Sequence, residues 1–533
     1  MKRRDFLHLL AFQAAAWSLG CGRHEGGSRG TTGTPGGSAA PGRPFAPVNP
    51  FSGRWMGDDP GFGHRLREDL RLPEGGALQP GVDVVVVGAG ISGLTAARAL
   101  ALRGHRVRVL EQARVPGGNS KSEKWADIEY SIGAAYFTKP DPGSDLDRLY
   151  RDLGVTARAV RVPKGETLFS RRLGTDFWSG ETDPAHAAAT RRIRDAWSAM
   201  LDRRYPAIPW TPKTGGWSRA AFERADREPF AHALETLGAP PHVRAFCEYY
   251  CWSSFGGSAS EISTYAALNF LTAEFGEILA LPGGNAAIAR ALIADLERLG
   301  VPIATGRLAA RVHRERNGIE VAALHGDDVE RHPARACVLA VPRFIARRIV
   351  EDFPARRAAI VERMKWRAYL VANVLLARRP RPDWYDAYRI EPLDARDYGF
   401  SDLILADFAV AKRTNRSVIT AYRALPYDGG RAELLAEDDF ARHRDAVRRD
   451  LLPWLDALGL AEQDVVDINL ARWGHPLVLA QPGQLASGDL ETLSAPLGRV
   501  TFAHQDRHGV PAIENAIAAG IAAARETEAV LAG

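Results

Sequence analysis

The residues with the clearest chemical meaning are Gly88-Ala89-Gly90-Ile91-Ser92-Gly93, followed by Glu111. Together they can hold a dinucleotide. Gly88 allows a tight turn, Gly90 lets backbone approach a pyrophosphate, and Gly93 lets a helix pack close to a sheet. The diphosphate would face the unpaired N–H groups of a helix N-terminus, and Glu111 would accept from the adenosine ribose. Gln112, Arg114, Gly117, Gly118 and Asn119 come directly afterwards. Cationic Arg114 can offset diphosphate charge, while the glycine pair leaves room for backbone contact.

These residues need a strand, a turn, a helix and a second strand to position them. Val82 and Val84 to Val87 form a near-continuous apolar run, as a buried parallel strand requires. Leu94, Ala97 and Ala101, with Leu100 beside them, give the helix a sheet-facing stripe, and Gly104 ends it. Val107, Val109 and Leu110 supply the second strand, which ends on Glu111. The order predicts an α/β, Rossmann-like domain.

Two blocks further on have a different texture. Residues 140–275 are rich in helical signals and aromatics, and residues 342–480 hold strand-like runs at 370–376, 417–424 and 465–470. The densest aromatic cluster, Tyr249-Tyr250-Cys251-Trp252-Ser253-Ser254-Phe255, precedes Gly256-Gly257, a natural end to a helix. Tyr249, Trp252 and Phe255 form either a pocket wall or a core stripe. Cys21, Cys247, Cys251 and Cys337 fit neither a disulfide scaffold nor a zinc or iron–sulfur pattern, so no metal is expected.

The segment from Glu111 to Asn119 resembles the second glycine pair of the flavin-containing amine oxidase superfamily, where an arginine and two glycines pass near the pyrophosphate. Tyr130-Ser131-Ile132-Gly133-Ala134-Ala135-Tyr136 resembles that family's small-residue step beside the flavin. Leu281-Pro282-Gly283-Gly284-Asn285 resembles its proline–glycine turn near the isoalloxazine. Residues 301–324 resemble the hairpin that contacts adenine, near Leu308 and Ala309, and Val338 to Pro342 the strand returning under the cofactor. Residues 500–516, with Asp506, Ala512 and Ile513, resemble the closing motif, whose helix N-terminus faces the flavin pyrimidine ring. His504 stands where the family often has glycine.

The resemblance implies FAD as cofactor and an α/β fold in which a Rossmann-like FAD domain (80–140, 276–342, 481–533) interleaves with an α+β substrate domain (141–275, 343–480). It implies oxidation of an amine or amino-acid-like small molecule by hydride loss to flavin N5. Arg472-Trp473-Gly474-His475-Pro476 resembles the segment crossing the flavin face: Trp473 would restrict substrate orientation and His475 would handle protons, unless that histidine is structural. Tyr136 is a further catalytic candidate on the cofactor side. The strand after Met364-Lys365-Trp366 lacks the lysine that many amine oxidases place near N5, and no covalent-flavin cysteine lies near Trp473. A non-covalent flavin follows, with the electron acceptor, oxygen or another, left open. Two alternatives keep the fold: a desaturase or dehydrogenase of a lipid-like substrate using a non-oxygen acceptor, and a non-enzymatic flavoprotein scaffold.

Residues 1–21 read as an export signal. Arg3-Arg4-Asp5-Phe6-Leu7 resembles the twin-arginine pattern, which makes that translocon a partner and the periplasm or exterior the destination. Ser18-Leu19-Gly20-Cys21 resembles a lipoprotein signal, so either Cys21 carries a lipid that reaches a membrane surface or the chain is simply cleaved nearby. Residues 22–50 hold 8 Gly and 5 Pro in 29 positions and read as a flexible linker. The net charge of the 533 residues is only +5, and basic pairs such as Arg191-Arg192 have Asp195 close by, so nucleic-acid binding is not expected.

Overall fold

The valine run becomes strand Val82–Val87, with Val84, Val85 and Val86 fully buried at the centre of a parallel sheet. The computed structural model describes residues 51–67, 72, 75–163, 166–213, 216–381, 384–391, 396, 399–411 and 413–533. The expected export signal, Cys21 and the expected 22–50 linker lie outside the described residues. Val82–Val87 pairs in parallel with Val107–Glu111 on one side and Asp328–Leu339 on the other. The strand order is Ile303–Thr305, Val107–Glu111, Val82–Val87, Asp328–Leu339, Ile319–His325, Arg307–Arg314, and Val500–Phe502 joins Asp328–Leu339 in parallel. Residues from all three expected cofactor segments therefore meet in one sheet.

Helix Ile91–Ala101 buries Leu94, Ala97 and Leu100, leaving Ala101 only partly covered. Its neighbour is the C-terminal helix Ile513–Ala532, and the two backbones come very close: a Cβ on Gly520 would stand 2.4 Å from the Ser92 carbonyl oxygen. This contact clamps the end of the chain onto the glycine-rich turn.

The second sheet runs Trp55–Gly57, Val465–Val478, Trp366–Leu376, Ser417–Leu425, Asp402–Leu405, Asp386–Arg389, Glu166–Phe169, Arg172–Gly174. Trp55–Gly57 lies upstream of every expected domain segment, yet it pairs in parallel with Val465–Val478. Helices Ala187–Arg203, Pro241–Phe255 and Thr264–Ala273 belong to the same half, around a core rich in tyrosine and tryptophan. The architecture is α/β, two sheets with helices.

Candidate active site

A cleft of about 860 Å³ opens at the C-terminal end of Val82–Val87. It is lined by Gly88, Gly90, Ile91, Ser92, Glu111, Gln112, Gly117, Gly118, Asn119, Leu308, Ala309 and Ile513. Each glycine has its own physical reason. Gly88 has φ +101, and a Cβ on Gly93 would fall 1.9 Å from the Gly88 carbonyl oxygen. A Cβ on Gly90 would meet nothing nearer than the Gly118 Cα at 3.8 Å, so this position is open to the cleft. The Gly117 N–H donates to the Ala89 carbonyl at 2.8 Å and ties the two glycine turns together. Glu111 accepts from the Ala89 N–H at 2.7 Å and the Ala113 N–H at 2.8 Å. Burial pushes its carboxyl up from the ordinary value, while Lys121 and these N–H groups oppose the shift.

Several expected residues stand outside that lining. Ala89 acts through its backbone, and Gly93 lies beneath the turn. Arg114 is exposed, and the guanidinium that lines the cleft is Arg307, held by Glu330 at 3.1 Å. Gly133 lies so close to Asn119 that a Cβ there would meet its carbonyl oxygen at 2.1 Å. Ala134 accepts from the Ser131 hydroxyl at 2.9 Å, and Ala135 follows it into strand Tyr136–Thr138. Asp506 is buried and accepts from the Arg343 N–H at 2.8 Å. Burial opposes its charge, but His504 and Arg343 hold its carboxyl below the usual range. Ala512 is the buried residue preceding helix Ile513–Ala532, and His504 lines the cleft itself.

The cleft fits a dinucleotide on its own chemistry. Asn119 is 3% exposed, yet neither its amide oxygen nor its amide nitrogen has a protein partner, and the Gln112 amide nitrogen has none either. Buried amides are normally satisfied. Here they face a groove of backbone and small residues that a polar ligand would complete.

A second cavity, of about 630 Å³, begins at Tyr136. Its rings include Trp178, Phe246, Tyr250, Tyr385 and Tyr388, and its charged lining residues are Glu274 and Asp386. Among the described residues, no lysine, arginine or histidine lines it. Tyr136 Oη donates to Asp386 Oδ2 at 2.9 Å, and Tyr250 Oη donates to Glu274 Oε1 at 2.9 Å. Burial, then the Asp386 charge, pushes the Tyr136 phenol well above its ordinary value, so it stays a donor. The aromatic helix Pro241–Phe255 does contribute a wall, but through Phe246 and Tyr250. Tyr249, Trp252 and Phe255 are buried core, with Phe255 packed 4.4 Å from Phe270. Sequence reasoning missed Glu274, Asp386, Tyr385 and Tyr388; the only local signal was the aromatic–acid string Tyr385-Asp386-Ala387-Tyr388.

Trp473 and His475 line a third cavity, of about 1470 Å³. The expected catalytic set is thus divided, with Tyr136 in one cavity and these two in another. The Trp473 indole donates to the Ile132 carbonyl at 2.9 Å. His475 Nε2 accepts from Arg431, and its ring lies 4.6 Å from Phe344. Burial, followed by the Arg431 and Arg67 charges, holds its imidazolium well below the usual range, so the ring is neutral and that nitrogen is engaged. Arg67, Arg348 and Lys365 share the lining, and Lys365 pairs with Asp428 at 3.3 Å. Leu66 and Ile345 wall both this cavity and the cofactor cleft.

Fold and site together define a two-sheet α/β protein whose glycine-rich cleft fits a dinucleotide. The family model "Flavin containing amine oxidoreductase" matches residues 91–527, and the chain belongs to that family. It is an FAD-dependent oxidoreductase, and the residues of the cleft fit that dinucleotide. The chain is 25% identical over 509 residues to Oxidoreductase PigB of Serratia sp., covering 84% of this chain and 75% of that one. It is 26% identical over 305 residues to (S)-6-hydroxynicotine oxidase of Paenarthrobacter nicotinovorans, covering 52% of this chain and 65% of that one. The solved structure of wild-type putrescine oxidase bound to putrescine superposes with a TM-score of 0.65, at 18% identity over 84% of this chain and 99% of that one. At that identity the likeness is one of fold.

Proposed function

We propose that this enzyme oxidises an amine at the carbon next to nitrogen, and that the aromatic cavity at Tyr136 receives it. The observation that carries this reading is the lining: many ring faces, two carboxylates and, among the described residues, no basic side chain. Ring faces and carboxylates attract an ammonium group. A free amino acid would bring a carboxylate that finds no cation in that lining, which narrows the substrate to amines without one. Tyr136 orients the Asp386 carboxylate, Tyr250 orients that of Glu274, and the packed rings exclude water. FAD supplies the two-electron acceptor when bound. The reading includes a non-covalent flavin, since the sequence holds no cysteine near Trp473 and, among the described residues, none lines the three cavities. The reading also includes twin-arginine export from Arg3-Arg4, with Cys21 either lipidated or removed.

An anaerobic screen of the purified protein tests it by following loss of the oxidised-flavin absorbance band. Bleaching by primary or secondary amines, and none by free amino acids, is expected. Bleaching by amino acids alone overturns the substrate assignment. Intact mass of exported protein reports on Cys21.

A second reading, a dehydrogenase or desaturase of a lipid-like substrate with a non-oxygen acceptor, has one observation in its favour. The third cavity is open, rimmed by arginines and separated from the cofactor cleft only by residues such as Leu66 and Ile345. Strand Trp366–Leu376 also carries no lysine. Readmitting air to the bleached enzyme separates the two: rapid recovery of colour belongs to an oxidase, slow recovery with fast reoxidation by a quinone to the second reading.

A further inference from the structure

Away from all three cavities, Asp183, His186 and His242 turn their polar atoms toward one point. Asp183 Oδ2 lies 2.8 Å from His186 Nδ1 and 3.1 Å from His242 Nδ1, and the three atoms lie within 4.8 Å of one another. Asp183 and His186 flank the turn Pro184–His186, which leads into helix Ala187–Arg203. His242 stands in the first turn of helix Pro241–Phe255 and is 6% exposed.

The hydrogen bonds around His242 decide which of its nitrogens is free. Thr190 Oγ1 donates to the His186 carbonyl at 3.2 Å, so its lone pair accepts from His242 Nε2 at 2.9 Å. That leaves His242 Nδ1 without a proton, and this buried atom makes no hydrogen bond. Its lone pair therefore faces a carboxylate oxygen, an arrangement that repels unless a cation stands between them. Metal-bound histidines characteristically donate the other ring N–H to an oxygen, as His242 does to Thr190.

We propose that Asp183, His186 and His242 bind a divalent transition-metal ion of the zinc class. Bonds of about 2.0–2.2 Å put the donor atoms of a tetrahedral ion about 3.4 Å apart, a few tenths of an ångström beyond the two Asp183–histidine separations here. Two imidazoles and one carboxylate suit a borderline-soft ion, and water completes the coordination. The ion clamps the start of helix Ala187–Arg203 to helix Pro241–Phe255. The latter helix carries Phe246 and Tyr250 into the aromatic cavity, and the His242 ring lies 5.6 Å from Phe177, which stacks at 4.7 Å on Phe246. Metal occupancy would thus stiffen one wall of the substrate site, whatever that site oxidises.

The test uses tag-free holoenzyme, stripped with a chelator and titrated with zinc chloride or cobalt chloride. Calorimetry is expected to show one saturable site per chain, cobalt to give a ligand-field absorption, and zinc to raise the melting temperature. His186→Ala, at the exposed side of the cluster, and Asp183→Asn are each expected to weaken zinc binding by at least about ten-fold with FAD content unchanged. Thr190→Val is expected to weaken it by a similar factor. Absence of saturable binding up to about millimolar zinc, or equal affinity in His186→Ala, overturns the site. If His242→Ala fails to fold, the surface variants still decide the question.

Discussion

Tyr136 and Asp386, 250 positions apart in the chain, meet through a 2.9 Å hydrogen bond at the wall of the aromatic cavity. One comes from the strand that follows the small-residue step at Gly133, the other from strand Asp386–Arg389, which is paired on both sides within the second sheet. The bond joins the two halves of the molecule where an ammonium group would sit, and it holds a carboxylate in place without neutralising it.

Removing that donor is expected to affect turnover more than folding. Hydrogen bonds to charged groups contribute about 1.5–3 kcal/mol, so Tyr136→Phe should lower kcat/KM for amines by about ten-fold or more. Flavin content and the oxidised-flavin spectrum should stay as in the parent. Unchanged steady-state kinetics would remove Tyr136 and Asp386 from the site.

The glycine turn offers a paired test. Gly93→Ala drives a Cβ to 1.9 Å from the Gly88 oxygen, which backbone must move to relieve. It should cost about 3 kcal/mol or more and yield protein with little FAD. Gly90→Ala has open space around its Cβ, with the nearest atom at 3.8 Å. That variant should fold with a normal melting temperature as apoprotein and bind FAD more weakly. Calorimetric unfolding beside flavin quantitation separates the two outcomes.

His475 should prove dispensable for the oxidation step. Its Nε2 accepts from Arg431 in a cavity that Tyr136 does not line, so it is not placed to take a substrate proton. His475→Asn is expected to leave the anaerobic rate of flavin bleaching within about two-fold of the parent, at each pH tried. A large loss with an altered pH profile would restore it as a base.

Asp58 makes stability depend on pH. Its Oδ2 accepts from the Gly474 N–H at 2.8 Å, and burial pushes its carboxyl up to about 8. The folded-state value stands above that of the unfolded chain, about 3.9. The folded form therefore holds a proton the unfolded form has lost, and this contribution falls away as pH rises through about 8. Asp58→Asn keeps an acceptor for Gly474 and removes the charge. It should be more stable than the parent near pH 9 by several kcal/mol, about 1.4 for each pH unit between the two values, with the gap closing toward pH 4. Thermal unfolding at both values checks the sign.

The cofactor end of this protein was legible in the chain alone, because its determinants are local. The valine run, three glycines at fixed offsets and a terminal Glu111 impose a turn whose geometry depends on neighbours a few residues away, and the structure places them along one cleft. The reaction end depends on contacts that no local pattern encodes. Whether Tyr250 or Tyr249 faces a cavity is a matter of helix phase, about 100° per residue, and that phase is set by what packs against helix Pro241–Phe255. Whether Arg114 or Arg307 meets the cofactor depends on which turn folds over the groove. Glu274 and Asp386 become one acidic wall only because a helix end and the start of an inner sheet strand are brought together, and Trp473 and His475 part from Tyr136 because the intervening layer is filled by contacts such as the indole's bond to Ile132. Local sterics wrote the cofactor turn into the sequence; long-range packing alone selected the side chains of the substrate site.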